Sequence, residues 1–209
     1  MTEPLAPGVT PDVALGGLPT SLTEGVDLGA LSRWPLPAEE GRQAHDAADL
    51  LLLDTLAGWI ACGHSPGPVA VLDDRHGALT LPLLAAGHDV RVHQDEASHE
   101  RSLDANLEAW RRDGRLGPHA GTVHRAAAPE DAVRGARTVL LPLPRSLDEL
   151  DRLARIAARE ADPGVVLLAG GRDKHMSPRM NAVLGAAFAD VVAGRGRRKA
   201  RVLTARGPR

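Results

Sequence analysis

Cysteine occurs once, at Cys62, phenylalanine once, tryptophan three times and tyrosine not at all in 209 residues. A single thiol excludes an internal disulfide and a cysteine zinc site built within one chain. So few rings argue against an aromatic platform on which single-stranded RNA would stack its bases. No apolar run approaches the roughly 20 residues of a membrane span, so no membrane contact is expected. Between Met1 and Pro37 no basic segment leads into an apolar one. A signal peptide is therefore not expected, and a cytoplasmic protein is the simple reading. Walker-type phosphate loops and Gly-x-Ser-x-Gly elbows are both missing.

What is present is a globular composition, 43% hydrophobic, with an uneven charge. Residues 170–209 hold ten Lys and Arg against Asp173 and Asp190, so this end carries +8. The formal net charge of −2 then leaves −10 for the remainder. A basic end on an acidic body points to a polyanion partner or an acidic sister domain; a solvated basic tail is the plainer alternative.

Residues 1–40 are rich in Pro and Gly and lack periodicity, so they are expected to wrap the surface irregularly or be partly mobile. Residues 41–209 then form one α/β domain. Arg42 to Ile60 reads as a helix, with Leu51, Leu52 and Leu56 on one face and Asp46, Asp49 and Asp54 on the other. Val69 to Leu72 is a short β-branched run suited to a buried parallel strand. Asp73-Asp74 ends it, Gly77 allows a sharp turn, and a short apolar helix follows to Ala86. Strands at Asp89 to His93, Gly121 to Arg125, Thr138 to Leu141 and Val165 to Ala169 alternate with helices at Ala97 to Trp110, Pro129 to Arg134, Leu147 to Ala161 and Ser177 to Phe188. The chain closes with Asp190 to Ala193 and Ala200 to Thr204, a hairpin turning through Gly194 to Arg198. This alternation predicts a doubly wound, mainly parallel sheet of seven strands, with the hairpin supplying one antiparallel strand at its edge.

The order of elements resembles that of class I S-adenosylmethionine-dependent methyltransferases, whose sheet is Rossmann-like. Ala44-His45-Asp46-Ala47-Ala48-Asp49, Gly67 to Leu79 and Lys199-Ala200-Arg201-Val202-Leu203 together resemble the N-terminal domain of bilobal ribosomal RNA guanine-N2 methyltransferases. The resemblance covers roughly residues 42–206. It implies that a C-terminal catalytic half binds S-adenosylmethionine and performs the chemistry. The present half would be a degenerate copy that supports its partner and engages ribosomal RNA.

On that resemblance Asp73, Gly77 and Asp95 occupy the cofactor-binding positions, Asp95 being where an acid would bond a ribose diol. Arg75 and Leu79 stand where glycines are expected, adding bulk where backbone access is needed. These positions are therefore expected to be vestigial, with no tight cofactor binding; the acids would simply end strands and cap helices. Amine methyltransferases of this kind carry Asn-Pro-Pro-aromatic after the fourth strand, to accept the amine's hydrogens and stack on the base. Here that place reads Leu141-Pro142-Leu143-Pro144, and neither Asn106 nor Asn181, the only asparagines, precedes proline. No catalytic residue is assigned. His88, His93 and His99 with Asp95 and Glu96 fit no metal-ligand spacing and read as a solvated cluster, so no metal is expected.

Two basic groups are the candidate RNA contacts: Arg172, Lys174 and Arg179 after the fifth strand, and Arg195, Arg197, Arg198, Lys199 and Arg201 on the hairpin. The guanidinium fork suits phosphate oxygens, and contacts of this sort give affinity without sequence choice. Two other readings stay open at this level. One is a stand-alone S-adenosylmethionine-dependent methyltransferase acting on RNA or a small molecule; the other is a protein-interaction domain without RNA.

Overall fold

The computed structural model describes residues 22–24, 26–37, 39 and 41–209. Of the Pro/Gly-rich segment expected over residues 1–40, residues 1–21, 25, 38 and 40 lie outside that range. Among the described residues the strands are β1 (Val69–Leu72), β2 (Val90–His93), β3 (Val123–Arg125), β4 (Thr138–Pro142), β5 (Val166–Arg172), β6 (Phe188–Ala193) and β7 (Ala200–Pro208). The helices are α1 (Ala47–Ala61), α2 (Thr80–Ala85), α3 (Ala97–Arg112), α4 (Pro129–Val133), α5 (Leu147–Glu160) and α6 (Pro178–Ala187). The strands form one sheet in the order β3-β2-β1-β4-β5-β7-β6. β1 to β5 are parallel, and β7 runs antiparallel to both β5 and β6.

The expected hairpin is there, but its antiparallel strand is the inner one. Burial explains the order. β7 buries Ala200, Val202, Leu203 and Ala205, whereas β6 is largely exposed after Phe188 and suits an edge.

Alternation along β1 divides the core. Val69 and Val71 join Leu52, Leu81, Leu103 and Trp110 under α1, α2 and α3. Ala70 and Leu72 join Leu150, Leu153, Leu184 and Phe188 under α4, α5 and α6. A strand buried on both faces needs no polar alternation, which is why β1 reads as a continuous apolar run.

α1 starts at Ala47, five residues later than its apolar pattern suggests. Asp46 caps it: its Oδ1 accepts from Ala48 N at 2.6 Å, while Asp49 Oδ2 accepts from Asp46 N at 2.8 Å. The two orphan amides are satisfied reciprocally, so the helix has a defined start. α1 then lies close on β5, where Gly170 makes room: a Cβ there would sit 2.6 Å from Leu52 Cγ.

The segment before α1 is anchored as well. Leu28 and Leu31 are buried in the first core cluster. Asn106 on α3 accepts from Ser32 N at 2.8 Å and donates to Ser32 O and His76 O, each at 2.8 Å. One side chain thereby ties this segment to the turn after β1. No helix among the described residues is long and apolar enough to cross a membrane.

Candidate functional site

Parallel strands of a doubly wound sheet end together, and the loops after them open a crevice there. In this chain the crevice is a cleft of about 890 Å³ at the ends of β1, β4 and β5, roofed by the residues that lead into α1.

Its floor is the turn after β1. Asp73 adopts φ +55°, and its carboxylate is partly exposed in the cleft. Asp74 is 2% exposed and turns inward. Its carboxylate accepts from the backbone N–H of Gly77 at 3.1 Å, Leu79 at 3.1 Å and Thr80 at 2.7 Å. The Asp74 carbonyl accepts from the Gln94 amide, and Gln94 Oε1 accepts from Arg125 Nη1 at 2.8 Å. Burial pushes the Asp74 carboxyl above the usual carboxylate range, against the pull of those amides. The first-turn amides of α2 are thus taken by the chain itself. Gly77 is needed where it stands: its φ is +88°, and a Cβ would fall 2.7 Å from Leu103 Cδ1.

Beside this turn His76 is buried, 2.8 Å from Ser102 Oγ through Nδ1. Burial, with His99 and nearby arginines adding to it, lowers its pKa to about 4, so the ring is neutral. His99 stands edge-on to His76 with ring centres 6.2 Å apart, and its Nδ1 is 3.4 Å from Asp73 Oδ1. At the roof, burial and the Asp46 charge push the Asp49 carboxyl up to about 7.

The three cofactor-type positions separate. Asp73 lines the cleft; Gly77 and Asp95 do not. Asp95 points outward to His93 Nε2 at 2.9 Å and to Arg152 Nη2 on α5 at 3.5 Å. Arg75 lines the cleft, while Leu79 is fully buried beneath it. Of the histidine group only His99 reaches the cleft, and no metal-holding cluster occurs among the described residues.

At the end of β4, Pro142, Leu143 and Pro144 form one wall. Leu143 N donates to Gly170 O at 2.7 Å, and the Leu143 side chain covers Gly171 on β5. Neither asparagine is available at this wall. Asn106 is committed to Ser32 and His76, and Asn181 lies on α6.

The end of β5 carries the basic residues. Arg172 and Lys174 line the cleft; Arg179 is exposed on the first turn of α6, outside it. Pairing of β5 with β7 sets Arg172 opposite Ala200 and Gly171 opposite Arg201. Asp173 N donates to Lys199 O at 3.0 Å. Arg172 and Lys174 therefore meet the hairpin cations, distant in sequence, at one rim. Arg195, Arg197, Arg198, Lys199 and Arg201 are all exposed there. Arg197 lies 3.7 Å from Asp54 on α1, and Arg201 lies 3.7 Å from Asp173.

Arg33, Arg42 and Arg145 are cleft residues that motif reading did not single out, and His45 entered it only as part of the stretch from Ala44 to Asp49. Arg33 comes from the irregular segment before α1, and no local signal marks it.

Sheet order and layered helices define a Rossmann-like methyltransferase fold. Residues 20–209 match the family described as the RLMG N-terminal domain, and the chain belongs to that family. It is 30% identical over 186 residues to Ribosomal RNA large subunit methyltransferase G of Alcanivorax borkumensis, covering 85% of this chain and 45% of that protein. The chain thus spans about half the length of this curated relative.

Among solved structures, a 16S rRNA N2 methyltransferase from T. thermophilus, determined with AdoMet and guanosine, is similar with a TM-score of 0.61. It shares 22% identity, over 80% of this chain and 44% of its own. The magnesium protoporphyrin IX methyltransferase of Synechocystis PCC 6803 is similar at a TM-score of 0.54 and 18% identity, over 76% of this chain and 78% of its own. At these identities both likenesses concern the fold alone.

Proposed function

We propose that this chain is the non-catalytic half of a bilobal enzyme that methylates guanine N2 in ribosomal RNA in the cytoplasm. In this reading it braces a C-terminal catalytic half, which binds S-adenosylmethionine, and holds RNA by its backbone. The observation that carries it is the wall at the end of β4. Methylating an exocyclic amine requires acceptors that keep the lone pair aimed at the methyl group, and a surface to hold the base. Leu141-Pro142-Leu143-Pro144 offers no side-chain acceptor and no ring there.

The turn after β1 supports the same reading. Asp74 takes the amides that open α2, and Arg75 and Leu79 replace the small residues a donor's methionine arm needs. These residues do not fit S-adenosylmethionine. The rim supports RNA contact: Arg172 and Lys174 adjoin an exposed cationic hairpin, an arrangement suited to phosphates and indifferent to sequence.

Calorimetric titration of the chain with S-adenosylmethionine tests the first part. Micromolar binding that Asp73→Ala weakens would show a working donor site and overturn the reading. Titration with ribosomal RNA fragments at several salt concentrations tests the second. Binding that survives combined Arg195→Ala, Arg197→Ala and Arg198→Ala unchanged would remove the hairpin from it.

A further inference from the structure

Four buried nitrogens of the cleft have no hydrogen-bond partner among the described residues: Arg33 Nη1, His45 Nδ1, Arg172 Nε and His99 Nδ1, the last lying 3.4 Å from Asp73 Oδ1. Buried polar groups are overwhelmingly paired in folded proteins, so four such nitrogens around one cavity leave polar sites for a ligand to meet. They stand at different places. Arg172 ends β5, His45 precedes α1, and Arg33 follows the Ser32 that Asn106 fastens to the turn after β1. β4 lies between β1 and β5. With neighbouring strands about 4.8 Å apart, the two ends of the cleft are roughly 10 Å from each other.

Charge narrows the ligand. Arg33, Arg42, Arg75, Arg145, Arg172 and Lys174 line the cleft against four aspartates, with Glu39 beside it 3.9 Å from Arg33 Nη1 and 2.8 Å from Arg42 Nη1. Asp49 and Asp74 among those aspartates already accept backbone amides. The surplus favours an anion. An inorganic phosphate cannot reach both ends of the cleft, and its walls also include apolar Leu36, Pro142 and Leu143.

From this geometry we propose that the cleft binds a nucleoside monophosphate unit. Its phosphate would lie on Arg172 and Lys174 and its base toward Arg33 and the apolar wall, with a hydroxyl of the ribose on Asp73. Arginine donates in pairs to phosphate oxygens and to the acceptor edges of bases, and a carboxylate accepts from a hydroxyl. The unit is either a free nucleotide or one unstacked residue of an RNA strand whose neighbours run over the hairpin. The strand version rests on the RNA-holding reading above; the free-nucleotide version does not.

Calorimetry of the 209-residue chain with GMP, AMP, CMP and UMP, their nucleosides and inorganic phosphate tests the proposal. At least one monophosphate should bind about tenfold tighter than its nucleoside and than inorganic phosphate. Arg172→Gln should weaken it about tenfold, and Lys174→Ala, an exposed position that leaves the core alone, several-fold. Combined Arg195→Ala, Arg197→Ala and Arg198→Ala should leave mononucleotide binding unchanged, so the cleft and the hairpin fail separately. Displacement of the bound nucleotide by a ribosomal RNA fragment identifies a strand residue as the occupant; retention identifies a free nucleotide. The proposal is overturned if no monophosphate outbinds inorganic phosphate, or if Arg172→Gln and Lys174→Ala both leave binding unaltered.

Discussion

The Asp74 carboxylate holds the backbone N–H of Thr80 at 2.7 Å, and the same side chain also serves Gly77 and Leu79. One buried acid thus closes the turn from the inside. Asp74→Ala removes the acceptor for three buried amides, and an unpaired buried donor costs ~1–3 kcal/mol. We expect a loss of roughly 3–5 kcal/mol in urea denaturation, with Asp74→Asn between it and the parent. A loss below about 1 kcal/mol would mean that the turn does not depend on this side chain.

Two groups at the cleft give stability opposite pH slopes. Asp49 has a folded pKa of about 7 against 3.8 ordinarily, so between those values the folded state holds a proton that the unfolded chain has released. Stability from this group is present at low pH and lost as pH rises toward 7. His76 does the reverse. Its folded pKa of about 4 lies below the ordinary 6.5, so stability is lost as pH falls from 6.5 to 4. Asp49→Asn keeps an oxygen for the Asp46 amide and removes the charge. Relative to the parent it should gain on the order of 1–2 kcal/mol at pH 8 compared with pH 4, read from denaturant midpoints at both. An equal effect at both pH values would place the Asp49 pKa at its ordinary position.

Gly170 and Leu52 fit each other too closely for any side chain at the glycine. An added Cβ would lie 2.6 Å from Leu52 Cγ and 2.8 Å from Leu52 Cδ1, and Leu52 is fully buried. Gly170→Ala should cost ~1–3 kcal/mol through overpacking. Leu52→Ala alone opens a cavity and should cost ~2–5 kcal/mol. Combined, the two should lose less than their sum by about 1 kcal/mol or more, since the new methyl enters space that the leucine has left. Strict additivity in thermal or chemical denaturation would show that α1 shifts to relieve the contact.

The same pair shows why the chain was only partly legible. The fifth strand is expected to stop at Ala169, yet β5 runs on through Gly170-Gly171 to Arg172. The glycines are there because Leu52 and Leu143 press on them, contacts that no local pattern displays. β1 and α5 were legible because burial alone dictates their patterns: four successive apolar residues in one, leucines at helical spacing in the other. Of the acidic pair after β1, motif reading singles out Asp73, which does face the cleft, but not Asp74, whose three amide partners become visible only once the turn is folded. Arg33 was hidden for a similar reason. It follows Ser32, which is held by Asn106, 74 residues away in sequence.

The tip of the hairpin is two residues, Arg198 at φ +53° and Lys199 at φ +60°, flanked by the Arg197–Ala200 bridge. Positive φ at both central positions is the turn geometry that matches strand twist, and Asn-Gly is the pair that adopts it most readily. The chain spends two cations there instead, although Gly194 and Gly196 lie only a few residues away. Left-handed backbone costs an ordinary side chain ~1 kcal/mol or more. Combined Arg198→Asn and Lys199→Gly should therefore raise stability by roughly 1–2 kcal/mol, visible as a higher melting temperature. If these two side chains meet phosphates, the same variant should bind ribosomal RNA fragments more weakly at low salt. Its plot of log affinity against log salt should also flatten by about one to two units. A variant that gains stability and keeps both its RNA affinity and its salt slope would show that the strained tip serves the hairpin alone. A variant that loses stability would show that these cations hold the tip in place, and the conformational account of the turn would have to be given up.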